Sequence, residues 1–411
     1  MNNSKRWLYL CTACVSFLFL GLIYAWSIFK APFSELFPDW SVSQMSMTFT
    51  ISMSFFCLGG FAGGLLTRKL SLRTRLLISA AMLFIGFFIV SFVNPSNPSA
   101  SLVMLYIFYG VFGGGGVGFA YNGIIGAINK WFPDKVGLAS GIMLMGFGLG
   151  GLVLGSVVNS MIGSIGLLTT FKILGVAIAV VCALAAFIIR QASDEDSAYF
   201  ASLAAPAASE KAAAAPSEEY TPAEMLRTSK FWLMIIWLVL LNSSGLLVIN
   251  SAANIAVAYG GTAVLGMIVS LFNGAGRIVA GSNFDKKGRK FATLVNNAFM
   301  LCAGILLALG GMSGKFIFIM LGLIFVGLSY GGCPTITSAY INKAFGARNF
   351  PTNFSIANFS LIAGATIGPM LSSALLEAAG GDYITNFYAI VGLAAAALVI
   401  WVFINKVSKD A

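Results

Sequence analysis

Residues 270–290 read SLFNGAGRIVAGSNFDKKGRK, an apolar run that ends in a basic cluster. This pattern is typical of a membrane-spanning helix that ends at the cytoplasmic surface. Arg277 lies inside the apolar part, where a cation costs about 2.5–3.5 kcal/mol to insert, so it is a candidate functional residue. The alternative is that Arg277 reaches the cluster that begins at Lys286, but roughly 13 Å of helix would separate them. Asn273 lies one helical turn earlier on the same face, so we expect the two side chains to act together.

The composition predicts an all-α membrane protein. Hydrophobic residues make up 58% of the 411 residues, charged residues make up 9%, and the mean hydropathy is +0.90, far above that of soluble globular proteins. Several apolar runs exceed the ~20 residues that a helix needs to cross a bilayer. We predict twelve spans, with approximate bounds 7–29, 42–66, 76–93, 101–128, 138–163, 167–190, 230–259, 262–282, 291–311, 315–342, 350–377 and 383–405.

The chain divides into two similar halves. Residues 191–229 form the one long polar stretch between spans, and their Ala, Ser and Pro content predicts a flexible cytoplasmic linker. We therefore expect a six-helix bundle at 1–190 and a second at 230–411. The string INKWFPDK at 128–135, after span 4, recurs as INKAFGAR at 341–348, after span 10. This repetition predicts two pseudo-symmetric bundles with parallel topology, a known plan for secondary transporters with the site between the repeats.

The loop after span 8 carries a second repeated motif. Gly281 and Asp285 echo a degenerate Gly63 and Thr67 after span 2. Asp285 lies amid basic residues at the end of a helix on the cytoplasmic side. We predict that Asp285 and Arg289 form a conformational latch and do not bind substrate.

The basic residues predict the orientation of the chain. Twenty of the 24 Lys and Arg residues fall in the two tails and in the loops after spans 2, 4, 6, 8 and 10. By the positive-inside rule, both termini and the linker are cytoplasmic in a chain that crosses the plasma membrane several times. The formal net charge of +10 does not indicate a nucleic-acid partner, because the basic residues lie in short loops. We expect a monomer whose partners are the lipid bilayer and a small substrate.

Several kinds of chemistry are excluded by the residue types. The sequence contains no histidine, which removes histidine acid–base catalysis, metal ligation and proton relays. The six cysteines lie in apolar runs, where free cysteine packs as a small hydrophobic side chain. The motif GGGGVG at 113–118 lies inside a span with no strand before it, so it does not indicate nucleotide binding. We expect no enzymatic activity, no metal site and no cofactor.

Polar and aromatic side chains inside the spans are the candidate substrate ligands. An arginine can bind a carboxylate through two parallel hydrogen bonds, and tyrosine hydroxyls can hold a neighbouring oxygen. For each Tyr or Asn the alternative is ordinary packing between helices. The candidates are Tyr24, Tyr121, Asn122, Asn273, Arg277, Tyr330 and Asn358.

Four strings carry a family resemblance: NKWFPDKVGLASGIMLMGFGLG at 129–150, YTPAEMLRTSKFW at 220–232, LFNGAGRIVAGSNFDKKGR at 271–289 and LSYGG at 328–332. The twelve-span pattern resembles the major facilitator superfamily. These strings more specifically resemble the oxalate:formate antiporter family, which is similar to the animal monocarboxylate transporters. The resemblance implies the major facilitator fold, alternating access and transport of small carboxylates.

The resemblance also implies roles for particular residues. Arg277 matches the substrate-binding arginine of span 8, and Tyr24, Tyr121 and Tyr330 match aromatic positions around the cavity. A second substrate-binding cation, a lysine in span 11, is replaced by Ala357.

Two departures from the family bear on the substrate. Ala357 and the adjacent Asn358 are neutral, and Asn273 stands where the animal transporters carry an acid. We therefore predict a transporter of small monocarboxylates such as lactate or pyruvate. We also predict coupling to protons, with the proton travelling on the substrate itself or through a group at the edge of the cavity. An exchanger of the oxalate and formate kind remains the alternative, because all 14 Asp and Glu residues fall in predicted loops, tails or span ends. A membrane sensor without flux is a more remote alternative.

Overall fold

Over the residues that the structure describes, the chain folds into helices joined by short loops. The structure is a computed structural model, and it describes residues 3–202, 219–249, 251–266 and 268–407. Eleven continuous helices in these ranges are long and apolar enough to cross a membrane.

We number the spans in chain order. Span 1 comprises Asn3–Leu20, the 3₁₀ helix Gly21–Ala25 and Trp26–Leu36; span 2 is Val42–Leu65; span 3 is Leu72–Val90; span 4 comprises Pro98–Met104, the π-helix Leu105–Gly113 and Gly114–Trp131. Span 5 is Val136–Ile165, span 6 Leu167–Ile188, span 7 Ser229–Ile249, span 10 Phe316–Phe345, span 11 Phe350–Ala378 and span 12 Ile384–Val407. The short helices Ala252–Ala258 and Ala263–Gly266 follow span 7.

The helix Ile268–Ser313 contains both span 8 and span 9. Its 46 residues would extend about 69 Å if straight, more than twice the ~30 Å hydrocarbon core. Gly288 breaks it with φ 78° and ψ 175°, a backbone conformation that favours glycine. A Cβ added at Gly332 of span 10 would lie 3.0 Å from Ala280 and would also contact Asn296. Residues 16 positions apart can both lie there only if the chain folds back, so the prediction of twelve spans is confirmed.

The chain separates into two compact units. The first contains the described residues up to Asp134, those from Gly146 into the linker, and Phe350–Ile356. The second contains Lys135–Met145, the described residues from Glu219 to Asn349, and those from Ala357 onward. The start of span 5 thus groups with the second unit, and the start of span 11 groups with the first. The division into bundles at 1–190 and 230–411 stays a prediction.

Glycines bring spans 2 and 4 close together in the first unit. A Cβ at Gly114 or Gly118, four residues apart, would contact the carbonyl oxygens of Ser52 or Phe56, respectively. Small residues at this spacing let helix backbones approach closely. Close packing therefore fixes span 4 against span 2 without large side chains at the contact.

The described ends of the linker are helical, in contrast to the flexible segment that the composition predicts. Residues 203–218 lie outside the described residues, but Asp194–Ser202 and Pro222–Leu226 are helices. In the first of these, Phe200 is 1% exposed and its ring lies 4.4 Å from the guanidinium carbon of Arg6. One buried aromatic side chain thus anchors a segment whose overall composition is polar.

The second linker helix has a complete N-terminal cap. Thr221 accepts a hydrogen bond from the backbone of Glu224, and the Glu224 carboxylate accepts one from the backbone of Thr221. This backbone hydrogen bond lowers the pKa of the Glu224 carboxyl group. Glu219, which precedes this helix in the chain, accepts hydrogen bonds from the backbone of Ala347 and Arg348. The end of the linker is therefore attached to the loop between spans 10 and 11.

Candidate functional site

Arg277 is buried within span 8. Its side chain is 4% exposed. Its Nε donates to Oδ1 of Asn273 at 3.3 Å, and Nη1 donates to the backbone carbonyl of Leu144 at 2.5 Å. The structure therefore places the two side chains on the same helix face, and it adds a main-chain partner from span 5.

Spans 5 and 8 approach closely enough for this bond because glycines lie at their contact. A Cβ at Gly141 would lie 2.5 Å from the carbonyl oxygen of Arg277, and a Cβ at Gly281 would contact the carbonyl of Gly137. These are separations that real Cβ atoms do not adopt. The backbones therefore touch directly, and the guanidinium can reach the Leu144 carbonyl.

Asp285 caps the start of span 5 from a different helix. Its two carboxylate oxygens accept hydrogen bonds from the backbone nitrogens of Gly137, at 2.9 Å, and Leu138, at 2.7 Å. The first N–H groups of a helix have no partner inside the helix, and the helix dipole favours negative charge there. Asp285 thus satisfies two such groups and neutralises part of the dipole.

Arg289, the second predicted latch residue, is 3% exposed at the start of span 9. It follows Gly288, whose positive φ turns the chain between spans 8 and 9. The two predicted latch residues therefore lie on opposite sides of this turn, Asp285 before it and Arg289 after it. Their latch function stays a prediction.

Tyr330 lies in span 10 against span 7. A Cβ at Gly245 would lie 2.7 Å from Cδ2 of the Tyr330 ring. Gly331 follows Tyr330 in span 10, and a Cβ at Gly331 would lie 2.9 Å from Oδ1 of Asn273. Span 10 therefore contacts span 7 through Tyr330 and span 8 at the level of Asn273. In span 11, Asn358 is 6% exposed.

Tyr121 lies in an aromatic cluster of the first unit and is 3% exposed. Its ring centroid lies 5.1 Å from those of Phe17 and Phe56, 5.0 Å from that of Phe147 and 6.1 Å from that of Phe354. These are packing contacts between helices. A substrate-binding function of Tyr121 stays a prediction.

Asn122 uses its amide nitrogen to join helices of the first unit. It donates to the backbone carbonyls of Gly60, at 2.7 Å, and Pro351, at 2.6 Å, and it also contacts the hydroxyl of Ser355. These contacts join helices, and a substrate-binding function of Asn122 stays a prediction. The side chain of Tyr24 lies outside the described residues.

Two polar residues that the sequence analysis did not select are buried in span 7. Asn242 and Ser243 are each 1% exposed. Among the described residues, the Asn242 Oδ1 and Ser243 Oγ atoms have no hydrogen-bond partner. A buried polar atom without a partner costs about 1–3 kcal/mol, so both are candidate ligands for a polar substrate. The signal was available in the sequence as the tripeptide NSS at 242–244 inside an apolar run.

No group of three or more His, Cys, Asp or Glu side chains that could hold a metal ion is present in the described part of the chain. The buried guanidinium of Arg277 lies against the neutral amide of Asn273 and the backbone carbonyl of Leu144. A guanidinium among neutral groups can bind an anion through charge-assisted hydrogen bonds.

Curated relatives include carboxylate transporters. The oxalate:formate antiporter of Oxalobacter formigenes is 26% identical over 377 residues, which cover 90% of this chain and 85% of that protein. The uncharacterized MFS-type transporter YhjX of Escherichia coli K12 is 25% identical over 356 residues, covering 85% of this chain and 83% of YhjX. Mouse monocarboxylate transporter 10 is 29% identical over 125 residues, only 30% of this chain and 23% of that one.

Solved structures share the fold. The proton:xylose symporter XylE of Escherichia coli matches with a TM-score of 0.74 at 15% identity, covering 100% of this chain and 97% of XylE. The fucose:proton symporter FucP of Escherichia coli matches with a TM-score of 0.66 at 15% identity, covering 98% of this chain and 100% of FucP. At this identity the likeness concerns the fold alone.

Residues 8–360 match the family described as the Major Facilitator Superfamily, which confirms the resemblance read from the sequence. The proteins of this family are transporters and not enzymes, and the fold agrees. The chain is a multi-pass membrane transporter that belongs to the Major Facilitator Superfamily.

Proposed function

We propose that this transporter moves small monocarboxylates such as lactate or pyruvate across the plasma membrane by alternating access, coupled to protons. The observation that carries the proposal is the buried Arg277, two of whose hydrogen bonds go to the neutral oxygens of Asn273 and Leu144. A guanidinium keeps its charge at any physiological pH and presents a planar pair of donors that fits a carboxylate. A bound carboxylate would replace neutral acceptors with a charged one, and hydrogen bonds to charged groups are the stronger kind.

The neutral residues Ala357 and Asn358 of span 11 favour one negative charge on the substrate. Ala357, where the resemblance implies a second cation, is 0% exposed, and the adjacent Asn358 is neutral. A dicarboxylate would leave one carboxylate unpaired, and a buried unpaired charge costs several kcal/mol. The penalty on the wrong ligand thus contributes to specificity as much as attraction to the right one.

The remaining substrate ligands in this proposal are Tyr24, Tyr121, Asn122, Asn273, Tyr330 and Asn358. Asn273 orients the Arg277 guanidinium through their hydrogen bond. The tyrosine hydroxyls would hold the second carboxylate oxygen or the neighbouring hydroxyl or keto group of lactate or pyruvate.

In the same proposal Asp285 and Arg289 are the conformational latch. The hydrogen bonds from Gly137 and Leu138 to Asp285 support this assignment, because they must form and break if span 5 moves against span 8. Both termini and the linker face the cytoplasm, the two bundles comprise 1–190 and 230–411, and the monomer is the working form.

Exchange of carboxylates of the oxalate and formate kind is the second candidate. It is favoured by the relative from Oxalobacter formigenes, which is named an oxalate:formate antiporter and covers most of this chain. The comparisons support this function and monocarboxylate transport equally, and the neutral Ala357 is the residue that favours the monocarboxylate.

Uptake into liposomes separates the candidates. Purified protein is reconstituted into vesicles that are empty or loaded with unlabelled lactate or oxalate, and labelled lactate uptake and internal pH are recorded together. Symport predicts uptake into empty vesicles with acidification of the interior. Exchange predicts uptake into loaded vesicles only, without a pH change. Absence of flux in every condition, with lactate binding retained, would instead indicate the sensor alternative and overturn the proposal.

A matched control tests whether the charge of Arg277 matters or only the total charge. Lys315 is an exposed cation at the start of span 10. Lys315→Gln and Arg277→Gln each remove one positive charge. We expect full uptake by the first variant and loss of uptake by the second, at equal amounts of reconstituted protein.

A further inference from the structure

Arg75 is a second buried cation, and it lies at the start of span 3 in the first unit. Its side chain is 2% exposed. Nη1 donates to the hydroxyl of Thr67 at 3.2 Å, and the buried Nε has no hydrogen-bond partner among the described residues. A Cβ at Gly123 of span 4 would lie 3.6 Å from Nη1, so the guanidinium lies against the backbone of that helix.

The neutral partner of Arg75 stands where the other half has an acid. Thr67 occupies the place in the repeated loop that corresponds to Asp285 after span 8. The Thr67 hydroxyl donates to the carbonyl of Gly63 at 3.1 Å, so it can offer Arg75 only a lone pair. The ion pair between Arg6 and Asp134 does not include Arg75.

A charged guanidinium without an anion is unfavourable in this position. A buried ion costs several kcal/mol even after relaxation unless an opposite charge compensates it. Arginine cannot escape the cost by losing its proton. An anion from outside the chain would supply the missing charge.

The surroundings of Arg75 indicate the kind of anion. Arg68 and Lys69, between spans 2 and 3, and Arg73, in the first turn of span 3, are exposed. The guanidinium of Arg73 lies 4.0 Å from the ring centroid of Phe187, a side chain at the end of span 6 that is 58% exposed. Basic residues next to the cytoplasmic end of a span attract anionic lipid headgroups. Four cations around one loop suit a phosphate, whose several oxygens can each accept from a different donor.

We propose that Arg75, together with Arg68, Lys69 and Arg73, binds a phosphate group at the cytoplasmic end of spans 2 and 3. The phosphate belongs to the headgroup of an anionic phospholipid or is free inorganic phosphate. The phosphate supplies the negative charge that Asp285 supplies in the other half. It stabilises the first unit independently of the transported substrate.

The melting temperature of the purified full-length protein tests the proposal. It is measured in vesicles of phosphatidylcholine alone, in vesicles that also contain phosphatidylglycerol, and in neutral detergent with added inorganic phosphate. For wild type we expect a rise of about 2–4 °C with the anion, the shift that about 1 kcal/mol produces in a protein or unit of this size. A rise with phosphatidylglycerol alone assigns the lipid headgroup, and a rise with inorganic phosphate assigns the free ion. No rise with either overturns the proposal.

Thr67→Asp is the deciding variant, because it places a carboxylate at the atom that Arg75 already contacts. We expect a higher melting temperature than wild type without anion, and no further rise when the anion is added. Thr74→Asp is the matched control: Thr74 is exposed in the first turn of span 3, and this substitution adds the same charge without replacing the partner of Arg75. It should keep the anion-dependent rise.

Arg75→Gln provides a second route to the same answer. It removes the unpaired charge, so its melting temperature should not fall by more than that of Arg73→Gln, and its response to the anion should be lost. If Thr67→Asp and Arg75→Gln respond to the anion as wild type does, Arg75 is not the binding residue. Loss of the response in Thr74→Asp to the same extent as in Thr67→Asp would show diffuse attraction to the basic surface and would also overturn the proposal.

Discussion

Asp285→Asn is the substitution that most directly tests the latch between spans 5 and 8. Asp285 uses one carboxylate oxygen for the N–H of Gly137 and the other for the N–H of Leu138. Asparagine has one carbonyl oxygen, so one of these N–H groups loses its acceptor. The variant also removes the negative charge at the N-terminus of span 5.

The size of the effect follows from these two losses. The net contribution of one intramolecular hydrogen bond to stability is about 0.5–1.5 kcal/mol. A charge at a helix N-terminus contributes about 0.3–1 kcal/mol when exposed and up to about 2 kcal/mol when partly buried. Together they amount to about 1–3 kcal/mol, which changes an equilibrium about 5- to 150-fold. We expect Asp285→Asn to weaken the closed contact by a factor in this range.

Two measurements follow this change. Hydrogen exchange should show faster exchange at the amides of Gly137 and Leu138, and the rate of labelled lactate uptake should fall. Lactate affinity measured by calorimetry should stay close to that of wild type, because Asp285 binds the backbone of span 5 and is not one of the proposed substrate ligands. Asp39→Asn makes the same chemical change at an exposed residue and serves as the control. Unchanged exchange and uptake in Asp285→Asn, or a large loss of lactate affinity, would refute the latch.

Three further substitutions test the substrate site. Arg277→Lys should not restore uptake, because an ammonium lacks the planar pair of donors; near-normal uptake at normal expression would contradict this. Ala357→Lys should weaken lactate transport and make unlabelled oxalate a stronger competitor, whereas Ala357→Met adds similar bulk without charge and should not. Potent oxalate competition in wild type would already argue against charge matching. Replacing Asn242 and Ser243 together by Ala should raise the melting temperature of the empty protein and weaken lactate binding several-fold, whereas Ser244→Ala should leave lactate binding unchanged.

The sequence was sufficient for features that depend on local spacing. Apolar length predicted the twelve spans, and the four-residue spacing predicted that Asn273 and Arg277 share a face, which their hydrogen bond confirms. Placing Asp285 at a helix end required only the change from an apolar run to a basic cluster. Each of these inferences uses residues less than one span apart.

Features that depend on contacts between distant segments could not be predicted. No periodicity indicates that the carbonyl of Leu144 accepts from Arg277, because the two residues are 133 positions apart. An asparagine inside a span looks the same whether it binds substrate or joins helices, so the contacts of Asn122 became visible only in the structure. Phe200 likewise contacts Arg6, which lies far away in the sequence.

The hydrogen bond from Arg277 to the Leu144 carbonyl bears on the return of the unloaded carrier. A carrier that performs net transport must reverse its access without cargo, and a bare cation in the spans would raise the barrier of that step. A main-chain carbonyl is not protonated at physiological pH, and changing the Leu144 side chain does not remove it. It therefore remains available as a hydrogen-bond acceptor for Arg277 after the anion has left. Unloaded turnover is therefore compatible with this chain, and an obligatory swap of cargo would need some other obstacle to the empty return. The ratio of net uptake to exchange measures how far this carbonyl lowers the barrier of the unloaded return step.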